Sequence, residues 1–436
     1  MSDADRRPVA AFLRRFRQLG RAAGVYVAGN AVNAAVPILL LPILTRRLSV
    51  GDYGILGMYD LLVGLALPIV GLGLHGAIAR QYYERDRVDF PAYVGTCLLL
   101  TFGTMVVVAG CLAAFHSLIT RYTGVPGAWL AWVLLGALGQ FLSLATLTIW
   151  QVRQEPFRFG IFRVSQTLVN VVLSLILVLP LALGWRGRVI GQAVSFAAFG
   201  LGGVAWMWRA GHARFHWVRD YARNALQFGV PLIPHTLGFW AIVMIDRLFV
   251  SVMLGPADVG RYTAAYQIGM GVSLLQNSFN QAWTPWLYER LKADVPGERR
   301  VIVQFTYGYL LALLVVAGAL AAAAPLLGAT VLGKAFRESV DIIGWIGLGY
   351  AFNGMYKMVT NYIFYAQRTY LLAWVSAGTA VCGAGINYVL IRANGLAGAA
   401  QASCATFALS FLATWWLAQR VHPMPWFGGR QAQVAS

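Results

Sequence analysis

The feature that most constrains this chain is the return, again and again, of apolar runs long enough to cross a bilayer. A helix needs about 20 apolar residues to span the hydrocarbon core. Such runs recur at residues 22–45, 53–79, 92–115, 127–150, 164–183, 189–208, 226–254, 262–287, 302–327, 340–364, 371–391 and 397–418, with Pro231 and Pro234 interrupting the seventh. Hydrophobic residues make up 59% of the chain and charged residues only 11%, against about 25% charge in a soluble domain. The pattern predicts an all-α polytopic membrane protein with about twelve transmembrane helices.

The formal charge is +18, from 34 Lys+Arg against 16 Asp+Glu. In a soluble protein that excess would suggest nucleic acid; here its distribution gives another answer. With a cytoplasmic N-terminus, 23 of the basic residues fall in inside segments and 9 in outside segments, leaving Arg247 and Lys357 within spans. This bias follows the positive-inside rule and predicts both termini inside, with no nucleic-acid partner. The segment Pro8–Arg21 sets Phe12, Phe16 and Leu19 near one helical face with Arg14, Arg15, Arg17 and Arg21 around them. It reads as a short interfacial helix on anionic lipid. The four cysteines, Cys97, Cys111, Cys382 and Cys404, fall in predicted spans, and no pair has a metal spacing.

The chain repeats internally. Leu48-Ser-Val-Gly-Asp52-Tyr-Gly54 and Leu254-Gly-Pro-Ala-Asp258-Val-Gly260 share an offset of 206 residues, and Tyr83-Glu84-Arg85 and Tyr288-Glu289-Arg290 share one of 205. Asp and Gly at such loops also favour helix caps and turns. The predicted architecture is two six-helix lobes, residues 22–209 and 226–418, related by a parallel pseudo-twofold axis along the membrane normal. A cytoplasmic basic segment (1–21), an inter-lobe linker (210–225) and a tail (419–436) complete it. The predicted outer loops are only about 5 to 13 residues long, so no soluble domain is inserted.

Polar residues inside the spans mark the candidate site. Span 8 carries Gln276, Asn277, Asn280 and Gln281 at i, i+1, i+4 and i+5, one stripe on a helix that should face a cavity or another polar helix. Asn30 lies in span 1, and Asn353 and Asn361 flank Lys357 in span 10. Asn170 and Asn387 read as interhelical hydrogen-bonding residues. Gly71, Gly73 and Gly76 in span 2 read as packing residues. Asp60, Asp246, Arg247 and Lys357 are the intramembrane charges, each costing about 2.5–3.5 kcal/mol at a helix centre. Adjacent helical residues point about 100° apart, so Asp246 and Arg247 make a poor pair. A cation facing a cavity suits an anionic passenger, and the guanidinium fork suits phosphate.

The stretches Asn33–Asp60, Ile245–Ile268 and Tyr365–Trp374 resemble the Wzx-type polysaccharide flippases of the multidrug/oligosaccharidyl-lipid/polysaccharide exporter superfamily, and the likeness extends over the whole chain. The resemblance implies a non-enzymatic transporter that moves an undecaprenyl-diphosphate-linked oligosaccharide across the bacterial cytoplasmic membrane by alternating access through a cationic central cavity. It implies coupling to a proton or sodium gradient and no bound cofactor. The implied products are O-antigen or exopolysaccharide. The implied partners are the lipid-linked glycan, membrane lipid, and the polysaccharide polymerase and export machinery. On this view Arg247 and then Lys357 bind the headgroup with Asp246, Gln276, Asn280, Gln281 and Asn30 near the path. Arg46 and Arg80 lie at its mouths, and Asp60 and Asp246 are the coupling candidates. The competing readings are a polytopic glycosyltransferase, polymerase or ligase on the same lipid, and a small-molecule multidrug-type exporter. The short outer loops speak against the first and the intramembrane cations against the second.

Overall fold

The structure is a computed structural model that describes residues 36–293, 297–366, 368 and 370–426. The basic segment 1–21 and Asn30 lie outside the described residues. The described elements are helical: α1 (36–47), α2 (Val50–Gly71), α3 (Leu74–Tyr82), α4 (Phe90–Ala114), α5 (His116–Thr123), α6 (Leu130–Val152), α7 (Pro156–Val178), α8 (Gly184–Arg209), α9 (Arg219–Gly229), α10 (Ile233–Met253), α11 (Pro256–Gly269), α12 (Gly271–Ala293), α13 (Glu298–Thr330), α14 (Val340–Tyr365) and α15 (Tyr370–Val421). Among the described residues, seven helices are long and apolar enough to cross a membrane. The chain is an all-α polytopic membrane protein. α15 holds two of the expected spans, because Gly395 (φ 56°, ψ −133°) breaks the helix where a side chain would be strained.

The chain divides into two compact units: residues up to Leu40 with Tyr59–Leu237, and Leu41–Met58 with Gly238 to the end. In the first, α8 packs along α6 and α7, and α3 along α6 and α9. Small residues set these crossings. A Cβ on Gly139 would meet the Ala197 nitrogen at 2.5 Å, and one on Gly203 the Thr146 hydroxyl at 2.2 Å. Gly71 and Gly76 pack as expected, against the rings of Phe141 and Phe228. Gly73 does more: Leu72 (φ 47°) and Gly73 (φ 66°) are both left-handed and separate α2 from α3. Asp89 caps α4, its Oδ1 accepting from the Ala92 N–H at 3.2 Å.

In the second unit α14 is central, packed against α11, α12, α13 and α15. Trp283, Leu287, Met355, Met358, Tyr362 and Phe411 belong to its core, and the Tyr307 hydroxyl donates to the Trp426 carbonyl at 2.5 Å. The sequence repeat reappears here as a contact. α2 and α11 begin at the equivalent positions Val50 and Pro256. A Cβ on Gly54 would meet the Pro256 carbonyl oxygen at 2.0 Å, and one on Gly260 the Val50 carbonyl oxygen at 1.8 Å. Gly57 lies against Thr263 at the same offset. Gly54 and Gly260 thus each face the first carbonyl of the other helix.

Candidate functional site

The α10 charges are buried and separate, as their angular spacing predicts. Asp246 is 3% exposed and Arg247 5%. Asp246 is held by groups remote in sequence. Its Oδ2 accepts from the Tyr262 hydroxyl of α11 at 3.0 Å and from the Ser403 hydroxyl of α15, and its Oδ1 accepts from the Asn387 amide of α15 at 3.0 Å. The Tyr262 and Ser403 oxygens stand 2.8 Å apart. Three neutral donors thus hold the carboxylate, while Arg247 points elsewhere. Its guanidinium lies 4.5 Å from the centre of the Tyr266 ring, a cation–π geometry, and against the Met244 sulfur. Tyr266 in turn accepts from the Tyr350 hydroxyl at 2.9 Å. The Arg247 Nε is buried without a hydrogen-bond acceptor among the described residues.

The span-8 stripe meets another polar helix. Along α12 and α14 a ladder of side chains interlocks at one-turn spacing. Gln276 donates to Asn353 at 3.4 Å, and the Lys357 ammonium to the Asn277 carbonyl oxygen at 2.5 Å. Asn361 donates to Asn280 at 2.9 Å and accepts from Thr284 at 3.3 Å. Gly354 brings the helices together: a Cβ there would meet the Gln276 Oε1 at 2.6 Å. The ladder changes character along its width. Gln276 and Asn361 are buried, Asn280 and Lys357 half-buried, and Asn277 exposed. Among the described residues Lys357 forms no ion pair with a carboxylate. An ammonium on neutral amides, reachable from an exposed edge, can take an anion. The side chain of Gln281 lies outside the described residues.

The remaining candidates make contacts of their own. Arg46 donates to the Thr330 carbonyl at the C-terminal end of α13 at 2.6 Å, a favourable place for a cation. Arg80 lies 5.7 Å from the Phe228 ring centre. Asp60 of α2 accepts from Gln192 of α8 at 3.1 Å. Asn170 makes the expected interhelical bond, to Arg188 at 2.6 Å. Arg188 itself sits inside α8 rather than in a loop. Ser403 and Tyr350 carried no local signal, and Tyr262 and Tyr266 could be noticed only as members of the Ile245–Ile268 stretch.

With this geometry in hand, known proteins supply the frame. The chain is 26% identical to a Haemophilus influenzae protein of the Lsg locus over 64% of its own length and 67% of that protein's. It is 25% identical to an uncharacterized membrane protein of the same organism over 62% and 65%. The chain thus spans about two thirds of these relatives. Among solved structures, the lipid II flippase MurJ in an inward closed conformation matches with a TM-score of 0.72 at 9% identity, over 91% of this chain and 87% of that one. An inward-facing multidrug resistance MATE family transporter of the MOP superfamily matches with a TM-score of 0.67 at 15% identity, over 91% and 98%. These two likenesses establish a shared fold. A family model described as polysaccharide biosynthesis protein matches residues 19–290, which include two of the three stretches that carried the resemblance. That match covers more than half of the sequence, and the chain belongs to this family, in the fold of the MOP superfamily.

Proposed function

We propose that this chain is a Wzx-type flippase that carries an undecaprenyl-diphosphate-linked oligosaccharide from the inner to the outer leaflet of the bacterial cytoplasmic membrane. In this reading about twelve spans form two six-helix lobes, both termini are cytoplasmic, and transport runs by alternating access. The carrying observation is the Lys357 ammonium, seated on a neutral polar ladder with no carboxylate ion pair among the described residues. Such a cation stabilises an anion that enters and leaves. Arg247, stacked on Tyr266 rather than bonded to Asp246, is the second cation. Asp246, held by three neutral donors, is the coupling residue for a proton or sodium gradient. Polymerase and export machinery take the delivered glycan. Family membership supports the pathway, and the fold shared with a lipid II flippase supports the mode of action.

The test is complementation of a deletion strain, with the lipid-linked glycan quantified on each leaflet. Lys357→Gln and Arg247→Ala are expected to insert normally and to leave glycan on the inner leaflet. Lys357→Arg and Arg247→Lys keep part of the export. Full export by both neutral variants refutes the reading. The MATE likeness sustains a second reading, drug export, which predicts altered drug susceptibility and unchanged glycan; a cation-lined path favours the first. Glycosyl transfer by the purified chain would make it an enzyme instead.

A further inference from the structure

The first unit holds a second polar cluster that the headgroup reading leaves unused. Asp60 sits about midway along α2 and is exposed, although most of that helix's neighbouring residues are buried. A carboxylate at that depth is costly against lipid, so it belongs where water or a polar cargo reaches it. Gln192 donates to its Oδ1 at 3.1 Å. Arg188 lies four residues before Gln192, one turn along the same face of α8. Arg188 is fixed by α7, donating to Asn170 at 2.6 Å and to Ser174 at 2.8 Å.

The local sequence explains why these groups meet. Gly187 and Gly191 lie one turn apart on α8, and a Cβ on either would stand within 2.8 Å of α7 atoms, from Leu177 and Ser174 respectively. That close crossing brings Asn170 and Ser174 to the guanidinium next to Gly187. On the other side, Tyr59 donates to the Trp132 carbonyl at 3.1 Å, and Trp132 and Trp185 each pack on Trp129, at 5.9 and 4.7 Å between ring centres. Trp129 and Trp132 are half-buried and Trp185 is buried.

We infer that Asp60, Gln192 and Arg188 form a subsite for the sugar hydroxyls of the cargo. One carboxylate and one guanidinium leave it with no net charge, unlike the Lys357 ladder of the second unit. A site rich in donors and acceptors but electrically balanced suits an uncharged polyhydroxyl rather than a phosphate. A carboxylate accepts from hydroxyls on more than one lone pair, and an amide both donates and accepts. The inference rests on the flippase reading.

The test measures binding to the full chain in detergent of two probes: undecaprenyl diphosphate without sugar, and the lipid-linked glycan extracted from the deletion strain. Wild type is expected to bind the glycan-bearing lipid more tightly. Asp60→Asn is expected to weaken that lipid about tenfold, the worth of a hydrogen bond to a charged group, and Gln192→Leu about fivefold, that of a neutral one, each leaving bare undecaprenyl diphosphate unchanged. Melting temperature monitors folding, and Gln192→Leu carries the test if Asp60→Asn does not fold. Equal weakening of both probes, or no change in either, overturns the subsite. So does loss of export with binding of both probes intact, which would make Asp60 a coupling residue. A deletion strain that accumulates no lipid-linked glycan, or a wild type that binds neither probe, overturns the flippase reading instead.

Discussion

The reciprocal crossing of α2 and α11 makes a prediction whose size follows from the coordinates. In Gly54→Ala the new methyl would stand 2.0 Å from the Pro256 carbonyl oxygen and 3.1 Å from the Gly260 nitrogen. Ordinary contact begins near 3.4 Å, so the helices must part by about 1.4 Å or the backbone must bend. Both obstacles are backbone atoms that no rotamer change can move. Overpacking of this kind costs about 1–3 kcal/mol, and the higher helix propensity of alanine returns at most about 1 kcal/mol. A net loss of about 1–2 kcal/mol is expected. Gly260→Ala, aimed at the Val50 carbonyl oxygen from 1.8 Å, should cost about as much. Because one separation relieves both clashes, the double variant should cost less than the sum, by about 0.5–1 kcal/mol. The assay is reversible unfolding of the purified chain in detergent, run as a double-mutant cycle. Gly103→Ala is the control, since its Cβ meets nothing within 4 Å. Wild-type stability in Gly54→Ala, or strict additivity in the double variant, would refute the reciprocal contact.

Asp246→Ala should cost about 1–3 kcal/mol, since it strands the Tyr262, Ser403 and Asn387 donors in a buried site; Asp246→Asn should stay closer to wild type in melting yet lose export. Asn361→Leu removes the partner of both Asn280 and Thr284 and should cost about 0.6–1 kcal/mol by the same unfolding assay. Between α6 and α7, burial alone would raise the Glu155 pKa, but the hydrogen bonds and charges of Arg153 and Arg158 outweigh it and hold it below the usual carboxylate range. A depressed carboxylate contributes stability above its unfolded pKa and loses it as pH falls through the lower folded value. The stability gap between wild type and Glu155→Gln should therefore be present at neutral pH, close on acidification, and shrink with salt.

Much of the architecture was legible because hydropathy is a local property. A run of about 20 apolar residues declares its solvent whatever it packs against, and the offset of 206 residues between Gly54 and Gly260 could be read without coordinates. The separation of Asp246 from Arg247 was also legible, since helix geometry alone turns neighbouring side chains apart. The partners were not. Asp246 is held from positions 16, 141 and 157 residues away, and the α12 stripe meets α14 across 77 to 81 residues. Those pairings depend on where two helices cross, and the crossings depend on where a missing side chain lets backbones touch, as at Gly354, Gly187 and Gly191. Sequence by itself determined that this chain lives in the membrane as helices, that it repeats, and which of its residues are costly there. Only the tertiary structure decided which costly groups satisfy one another, because hydrogen bonds between helices reach only about 3 Å and follow the packing.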